Sequence, residues 1–91
     1  MKFVEEKDRF ALYDGDDEIG EMTWRDVSSD FFVITHTIVN PAYRGQHLAE
    51  ELVEHGVEKA RREGRKIIPE CSYAKTLFER REDFADVWEK E

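Results

Sequence analysis

A short stretch of the chain, from Ile38 to Ala49, holds residue types that can bind an anion. An apolar run ends in this stretch, and Arg44 and Gly45 follow it. Backbone N–H groups at the start of a helix have no intrahelical partner, so they can hold an anion, which glycine allows to come close. The Arg44 guanidinium adds donors suited to phosphate. The residues alone equally fit an ordinary loop, with Gly45 easing the turn and Arg44 solvated.

Three further side chains, His36, Cys71 and Tyr73, are candidates for chemistry. His36 lies in a strand-like run, and an imidazole titrates near neutral pH, as a general base requires. Cys71 lies between a predicted strand end and a predicted helix start, a position that favours the nucleophilic thiolate. Each residue also has a structural alternative: a buried histidine held by a backbone carbonyl, a small apolar cysteine lining a pocket, and a tyrosine in the core.

The segments before and between these stretches have β-strand patterns. Lys2 to Tyr13 alternates enough for one or two strands, and Asp14 to Asp17 is typical of a tight hairpin turn. Glu18 to Arg25 is predicted as the return strand. Phe31 to Val39 is rich in aromatic and β-branched residues on both faces, which predicts a strand in the middle of the sheet that is covered on both sides.

The pattern changes to a helical period from about Gly45 to Glu63. An apolar stripe at i, i+4 spacing predicts an amphipathic helix that ends at Gly64. Arg65 to Pro69 is predicted as a short strand, and Ser72 as the cap of a second helix. An antiparallel strand meander followed by helix, strand and helix predicts an α+β fold. At this length we expect a single domain, residues 1–91, because two cores could not each bury enough surface.

The composition narrows the class of protein. Hydrophobic residues make up 40% of the 91 residues, which argues against disorder although 40% are charged. A net charge of −8 disfavours a nucleic-acid partner, because phosphate neutralisation needs clustered lysine and arginine. No apolar run approaches the roughly 20 residues of a membrane span, and a single cysteine suits a reducing cytoplasm. The histidines and the cysteine lack the spacing of a metal site.

The segment Val39 to Gln46 reads Val-Asn-Pro-Ala-Tyr-Arg-Gly-Gln and is followed by His-Leu-Ala. It resembles the pyrophosphate loop of the GNAT superfamily of acyl-CoA-dependent N-acetyltransferases, which reads Arg/Gln-x-x-Gly-x-Gly/Ala after a hydrophobic strand. His47 departs from this pattern, because the family usually has glycine there. A subgroup of very small GNAT-like proteins also shows a His-Thr strand and a Pro-x-Cys-x-Tyr-Ala segment. Here these are His36-Thr37 and the segment from Pro69 to Ala74.

The resemblance implies an N-acetyltransferase of the acyl-CoA N-acyltransferase fold, with acetyl-CoA as cosubstrate and an amine as acceptor. The strand from His36 to Val39, with Ile38, would offer backbone groups to the pantetheine arm. His36, Cys71 and Tyr73 would lie near the acetyl thioester, with Tyr73 as the acid for the departing thiolate. Direct attack by the amine is the more usual route, and an acetylated Cys71 is the alternative. The pyrophosphate would be held by the N–H groups of Arg44, Gly45, Gln46, His47, Leu48 and Ala49.

Two other functions stay open from the sequence. His47 in the loop, and the lack of later strands to wall the acceptor site, fit a CoA-binding module without catalysis. Trp24 and Trp88, as marks of a partner surface, fit a small interaction protein that keeps only the fold. For an enzyme, the acidic charge favours a cationic acceptor, such as a polyamine or a lysine side chain.

Overall fold

A five-stranded sheet and two helices form the framework of the computed structural model, which describes residues 1–90. Two short 3-10 helices follow the fourth strand and the second helix, at Pro41–Tyr43 and Glu82–Val87. The strands are β1 (Lys2–Glu5), β2 (Arg9–Asp14), β3 (Asp17–Asp26), β4 (Phe31–Val39) and β5 (Lys66–Pro69), and the helices are α1 (Leu48–Glu63) and α2 (Ser72–Arg80).

The strands lie in the order β1-β2-β3-β4-β5. The first three pairs are antiparallel, and β4 and β5 are parallel and joined through α1. This arrangement confirms the predicted α+β fold, an antiparallel meander followed by helix, strand and helix. The meander has four strands, since the segment from Lys2 to Tyr13 divides at a turn in which the Glu6 N–H donates to the Arg9 carbonyl at 2.8 Å.

The core fills the space between the sheet and one layer of helices. The apolar stripe of α1 packs on β2 to β5, and α2 and Glu82–Val87 extend the same layer over β5. Gly56 lets α1 approach β3 closely, because a Cβ at this position would lie 2.6 Å from Met22 Cε. Large side chains that are almost wholly buried include Leu12, Met22, Phe32, Ile34, Leu52, Ile67, Leu77, Phe78 and Phe84. Neither helix within residues 1–90 has the length and apolar composition needed to cross a bilayer.

Two predicted helix starts are wrong by a few residues. The helix predicted from about Gly45 begins at Leu48, because Gly45 and His47 have φ values of +81° and +58°, outside the helical region. Ser72 is the first residue of α2 and not its cap. Cys71 takes the N-cap position in an extended conformation, with no side-chain hydrogen bond to the helix.

The predicted burial of β4 is correct only for its first half. Phe32 to Ile34 are buried, whereas Thr35 to Val39 are half-buried or exposed. The two tryptophans do not mark a partner surface, since Trp24 is buried and Trp88 packs against the core beside Phe78. The second half of β4 is therefore the part of the sheet that is open to a ligand.

Replacing Leu52 with alanine is expected to lower the free energy of unfolding by about 2–5 kcal/mol, because a fully buried side chain leaves a cavity between α1 and the sheet. Chemical denaturation followed by tryptophan fluorescence measures the change. Glu58→Ala on the solvent side of α1, where the side chain is 66% exposed, is the control and should change stability by less than about 0.5 kcal/mol. Equal effects of the two substitutions would contradict this packing.

Candidate active site

A β-bulge in β4 marks the start of the site. Thr23 of β3 pairs with His36 and Trp24 pairs with Ile34, so Thr35 is an extra residue without a partner in the register. The Thr35 hydroxyl donates to the Thr23 carbonyl at 3.2 Å and lies 2.7 Å from the Thr23 hydroxyl, which fixes the bulge. A bulge bends its strand and increases the local twist. The second half of β4 therefore runs in a different direction from the first half.

Beyond the bulge, β4 and β5 separate. β5 pairs only with Phe31 to Ile34 of β4. The chain then leaves the sheet, and the N–H groups of Glu70 and Cys71 both donate to the Ile34 carbonyl, at 3.0 and 3.1 Å. Within the described part of the chain, no strand pairs with the β5-side edge of Thr35 to Val39. Alternate backbone groups on this edge are therefore free to hydrogen-bond an extended ligand.

The loop after β4 is held by its own hydrogen bonds and by the β2–β3 hairpin. The Asn40 side-chain oxygen accepts from the Ala42 N–H at 2.9 Å, and the Arg44 N–H donates to the Pro41 carbonyl at 3.2 Å. The Tyr43 hydroxyl donates to the Asp14 carboxylate at 2.6 Å. This hydrogen bond raises the pKa of Tyr43, with smaller contributions from burial and from the Asp14 charge. The loop is thus tied to the end of β2.

The turn between this loop and α1 contains several backbone N–H groups that are free to donate. Among the described residues, no protein acceptor takes a hydrogen bond from the backbone N–H groups of residues 45 to 50. They lie at the N-terminus of α1, where the helix dipole favours negative charge. A cleft of about 330 Å³ opens beside them. It is lined by Val39, Asn40, Tyr43, Arg44, Gly45, His47, Leu48 and Ala49.

His47 has an unusual backbone conformation at the edge of this cleft. Its backbone is left-handed, with a φ of +58°, a conformation that glycine adopts without cost. The His47 side chain is 82% exposed, and its Nδ1 lies 3.9 Å from Glu50. His47 therefore forms part of the cleft wall while most of its side chain lies in solvent.

Cys71 and Tyr73 lie where β5 gives way to α2. Cys71 is half-buried against the core, and its N–H is held by Ile34, two residues before His36 on β4. The Tyr73 side chain is 39% exposed, so the alternative of a core tyrosine is wrong. Partial burial, and then the nearby charge of Glu50, raise the pKa of Tyr73. Its phenol therefore stays protonated at neutral pH.

His36 lies on the opposite face of the sheet from α1. Directly paired residues of antiparallel strands share a face, and Met22, which pairs with Thr37, points at α1; His36 therefore points the other way. The His36 side chain is 49% exposed, so the alternative of a buried histidine is wrong. Its Nε2 lies 3.7 Å from Oε2 of Glu21 on β3. Glu21 carried no signal in the sequence, where it resembles any solvated strand residue.

Comparison with known proteins gives the family. Residues 9–87 match the family model described as GCN5-related N-acetyltransferase. The chain belongs to this family. The match covers all the site residues described above, which lie between Asp14 and Tyr73. No curated protein sequence matches the chain significantly.

Solved structures with the same fold include a GCN5-like protein from Staphylococcus aureus. It is 30% identical, with a TM-score of 0.81, and the alignment covers 99% of this chain and 89% of that one. A GNAT family acetyltransferase from Elizabethkingia anophelis, solved with acetyl-CoA bound, is 13% identical, with a TM-score of 0.64 and coverage of 79% and 50%. N-acetylglutamate synthase from Neisseria gonorrhoeae, solved with coenzyme A and N-acetyl-glutamate, is 20% identical, with a TM-score of 0.67 and coverage of 80% and 18%.

Replacing His47 with valine is expected to destabilise this GCN5-related protein by about 1–2 kcal/mol, because a β-branched residue is strained at positive φ. His47→Gly should preserve or raise stability, and the affinity for acetyl-CoA should change less than about tenfold, because most of the His47 side chain lies in solvent at the cleft wall. Thermal unfolding and calorimetric titration measure the two quantities. A gain in affinity of about tenfold or more in His47→Gly, 1.4 kcal/mol, would mean that the imidazole crowds the ligand.

The pKa of Tyr43 is expected to fall towards its ordinary value of about 10 when Asp14 is replaced with asparagine. The bond to Asp14 favours the protonated phenol in the folded state. Its stabilisation is therefore complete below the unfolded-state pKa and is lost as the pH rises through the folded-state pKa. Absorbance of tyrosinate during alkaline titration measures this, and Tyr43→Phe identifies the signal among the three tyrosines. An unchanged titration in Asp14→Asn would contradict the anchor.

Proposed function

We propose that this N-acetyltransferase binds acetyl-CoA in the opening between β4 and β5 and transfers the acetyl group to an amine there, as a single domain. The observation that carries the proposal is the adjacency of two unpaired sets of backbone groups. The free edge of Thr35 to Val39 leads directly to the free N–H groups at the start of α1. An extended amide-bearing arm that ends in a pyrophosphate needs these two features in this order.

In this proposal the pyrophosphate lies on the N–H groups from Gly45 to Ala49, through Gln46, His47 and Leu48. The Arg44 N–H, which the sequence predicts as a further donor, is not free, because it donates to the Pro41 carbonyl. Gly45 has nothing within 4 Å of the position that a Cβ would take, and its φ of +81° excludes most other residues. Arg44 is exposed beside the cleft and adds positive charge. The backbone of Ile38 and Val39 serves the pantetheine arm. The residues present therefore fit the cosubstrate that the solved relatives bind.

The chemistry requires a free amine and a proton for the leaving thiolate. We assign His36 as the base, because its half-exposed imidazole faces the side from which an acceptor can approach. The ammonium first gives one proton to the imidazole, and the free amine nitrogen then attacks the thioester carbonyl carbon as the carbon–sulfur bond breaks. The second proton, which the nitrogen loses as the amide forms, balances the proton that the thiolate takes up. Tyr73 supplies the proton to the thiolate, a role supported by its partly exposed phenol, which stays protonated at neutral pH.

Cys71 offers a second route, in which its sulfur takes the acetyl group first and the amine attacks the resulting thioester. The half-buried thiol lies at the end of the same opening, at the N-cap of α2. We propose direct transfer as the main reaction, since His36 is accessible without a covalent step. A free thiol at this point also suits a cytoplasmic location, where cysteine stays reduced.

Acetyl-CoA is expected to bind the purified chain with one-to-one stoichiometry, which calorimetry measures. Intact mass after incubation separates the two routes. Cys71→Ala should keep both binding and transfer if the amine attacks directly. An added acetyl group on Cys71, together with loss of transfer in Cys71→Ala, would instead establish the covalent route.

The same experiment separates the enzyme from the other two functions. Tight binding without transfer to any amine would favour a CoA-binding module without catalysis. Absence of binding at millimolar acetyl-CoA would contradict the proposed cosubstrate site. The remaining candidate function would then be that of a small interaction protein.

A further inference from the structure

The face of the sheet opposite α1 is the side from which an acceptor can reach the opening. The described helices and the main apolar cluster lie on the other face. On the open face, the central part of β3 and β4 carries polar groups. Glu21 and Thr23 of β3 lie opposite Ile38 and His36 of β4. These side chains should therefore determine which class of acceptor binds.

Glu21 is held in place by one of its two carboxylate oxygens and presents the other to His36. Its Oε1 accepts from Arg9 Nη1 at 2.9 Å, while its Oε2 lies 3.7 Å from His36 Nε2. Arg9 also bonds Glu6 and Glu18, at 2.7 and 2.8 Å. A single guanidinium among these carboxylates leaves the cluster with a net negative charge. Arg9 therefore does not cancel the negative charge of Glu21.

The distance between Glu21 and His36 fits a group that bonds both. A separation of 3.7 Å exceeds the roughly 2.7–3.2 Å of a direct N–H···O bond. It is short enough for a single nitrogen donor to lie within hydrogen-bond distance of both atoms. An alkylammonium group has several N–H donors and can bond the carboxylate and the neutral imidazole together.

A groove with one exposed apolar side chain lies beside Glu21 along the strands. A groove of about 380 Å³ runs over the ends of β3 and β4, and Glu18, Glu21 and Ile38 contribute to its lining. Ile38 is 53% exposed and offers a hydrocarbon surface next to the charged pair. The groove thus suits the stem of an aliphatic amine, which favours contact with an apolar side chain.

We propose that Glu21 binds the acceptor as a primary alkylammonium ion, between its Oε2 and His36 Nε2, with the aliphatic stem on Ile38. This inference rests on the proposed acetyl transfer and names the class of its acceptor. His36 takes a proton from the bound ammonium, and Glu21 stabilises the imidazolium that forms. The nitrogen lone pair then attacks the thioester carbonyl carbon, the carbon–sulfur bond breaks, and the sulfur leaves with the proton from Tyr73. The second proton, which the nitrogen loses as the amide forms, balances the one that Tyr73 gives up.

Glu21→Gln in the full chain tests the assignment with acceptors of different charge. The alkylammonium probes are 1-aminobutane and Nα-acetyl-lysine amide, and aniline is the amine that is uncharged at pH 7. With the alkylamines, kcat/KM should fall about 10- to 100-fold, mostly through KM, because a charge-assisted hydrogen bond is lost. With aniline it should change less than about threefold. A free amine and a lysine side chain share this chemistry, and the relative kcat/KM of the two alkylamine probes distinguishes them.

Glu6→Gln is the matched control. It removes another carboxylate from Arg9 at 2.7 Å but lies outside the groove, so the alkylamine preference should persist. An equal loss with charged and neutral acceptors in Glu21→Gln, or an equal loss of preference in Glu6→Gln, would overturn this inference alone. Absence of transfer to every amine by the unsubstituted protein, with acetyl-CoA binding intact, would overturn the proposed transfer itself.

Discussion

The separation of β4 from β5 after Ile34 is the constraint on which the rest of the site depends. A strand that is paired along both edges has no backbone group left for a ligand. Here the bulge at Thr35 bends β4, and two N–H groups from Glu70 and Cys71 satisfy the Ile34 carbonyl at the point of separation. The sheet therefore opens without leaving this buried acceptor unpaired. The same opening creates a free strand edge and sets the start of α2.

The loop between β4 and α1 uses backbone strain to present its donors. Two residues with positive φ, Gly45 and His47, turn the chain so that α1 begins only at Leu48. A non-glycine residue in this region costs about 1–2 kcal/mol and persists only where its surroundings hold it. The bond between Tyr43 and Asp14 provides one such restraint, because it fixes the loop to the β2–β3 hairpin.

The two faces of the sheet have different structural roles. One face packs the helices and supplies the stability, including a buried Lys59 that lies 4.8 Å from the Trp24 ring centroid and bonds Glu5 and Glu63. The other face carries polar side chains with no helix over them among the described elements. A small chain that covered both faces would have no access to the opening. The open face leaves the pair of Glu21 and His36 accessible to an acceptor.

The sequence by itself determined what depends on neighbours along the chain: the strand and helix periods, the hairpin at Asp14 to Asp17, the end of α1 at Gly64, and the loop that resembles the family pattern. Only the tertiary structure decided which residues share a face, because one extra residue in a strand reverses the side on which all later side chains lie. The bulge at Thr35 therefore brings His36 to Glu21, and no local pattern contains that pairing. The exposure of the second half of β4 has the same origin, since burial depends on what packs against a strand and not on its composition.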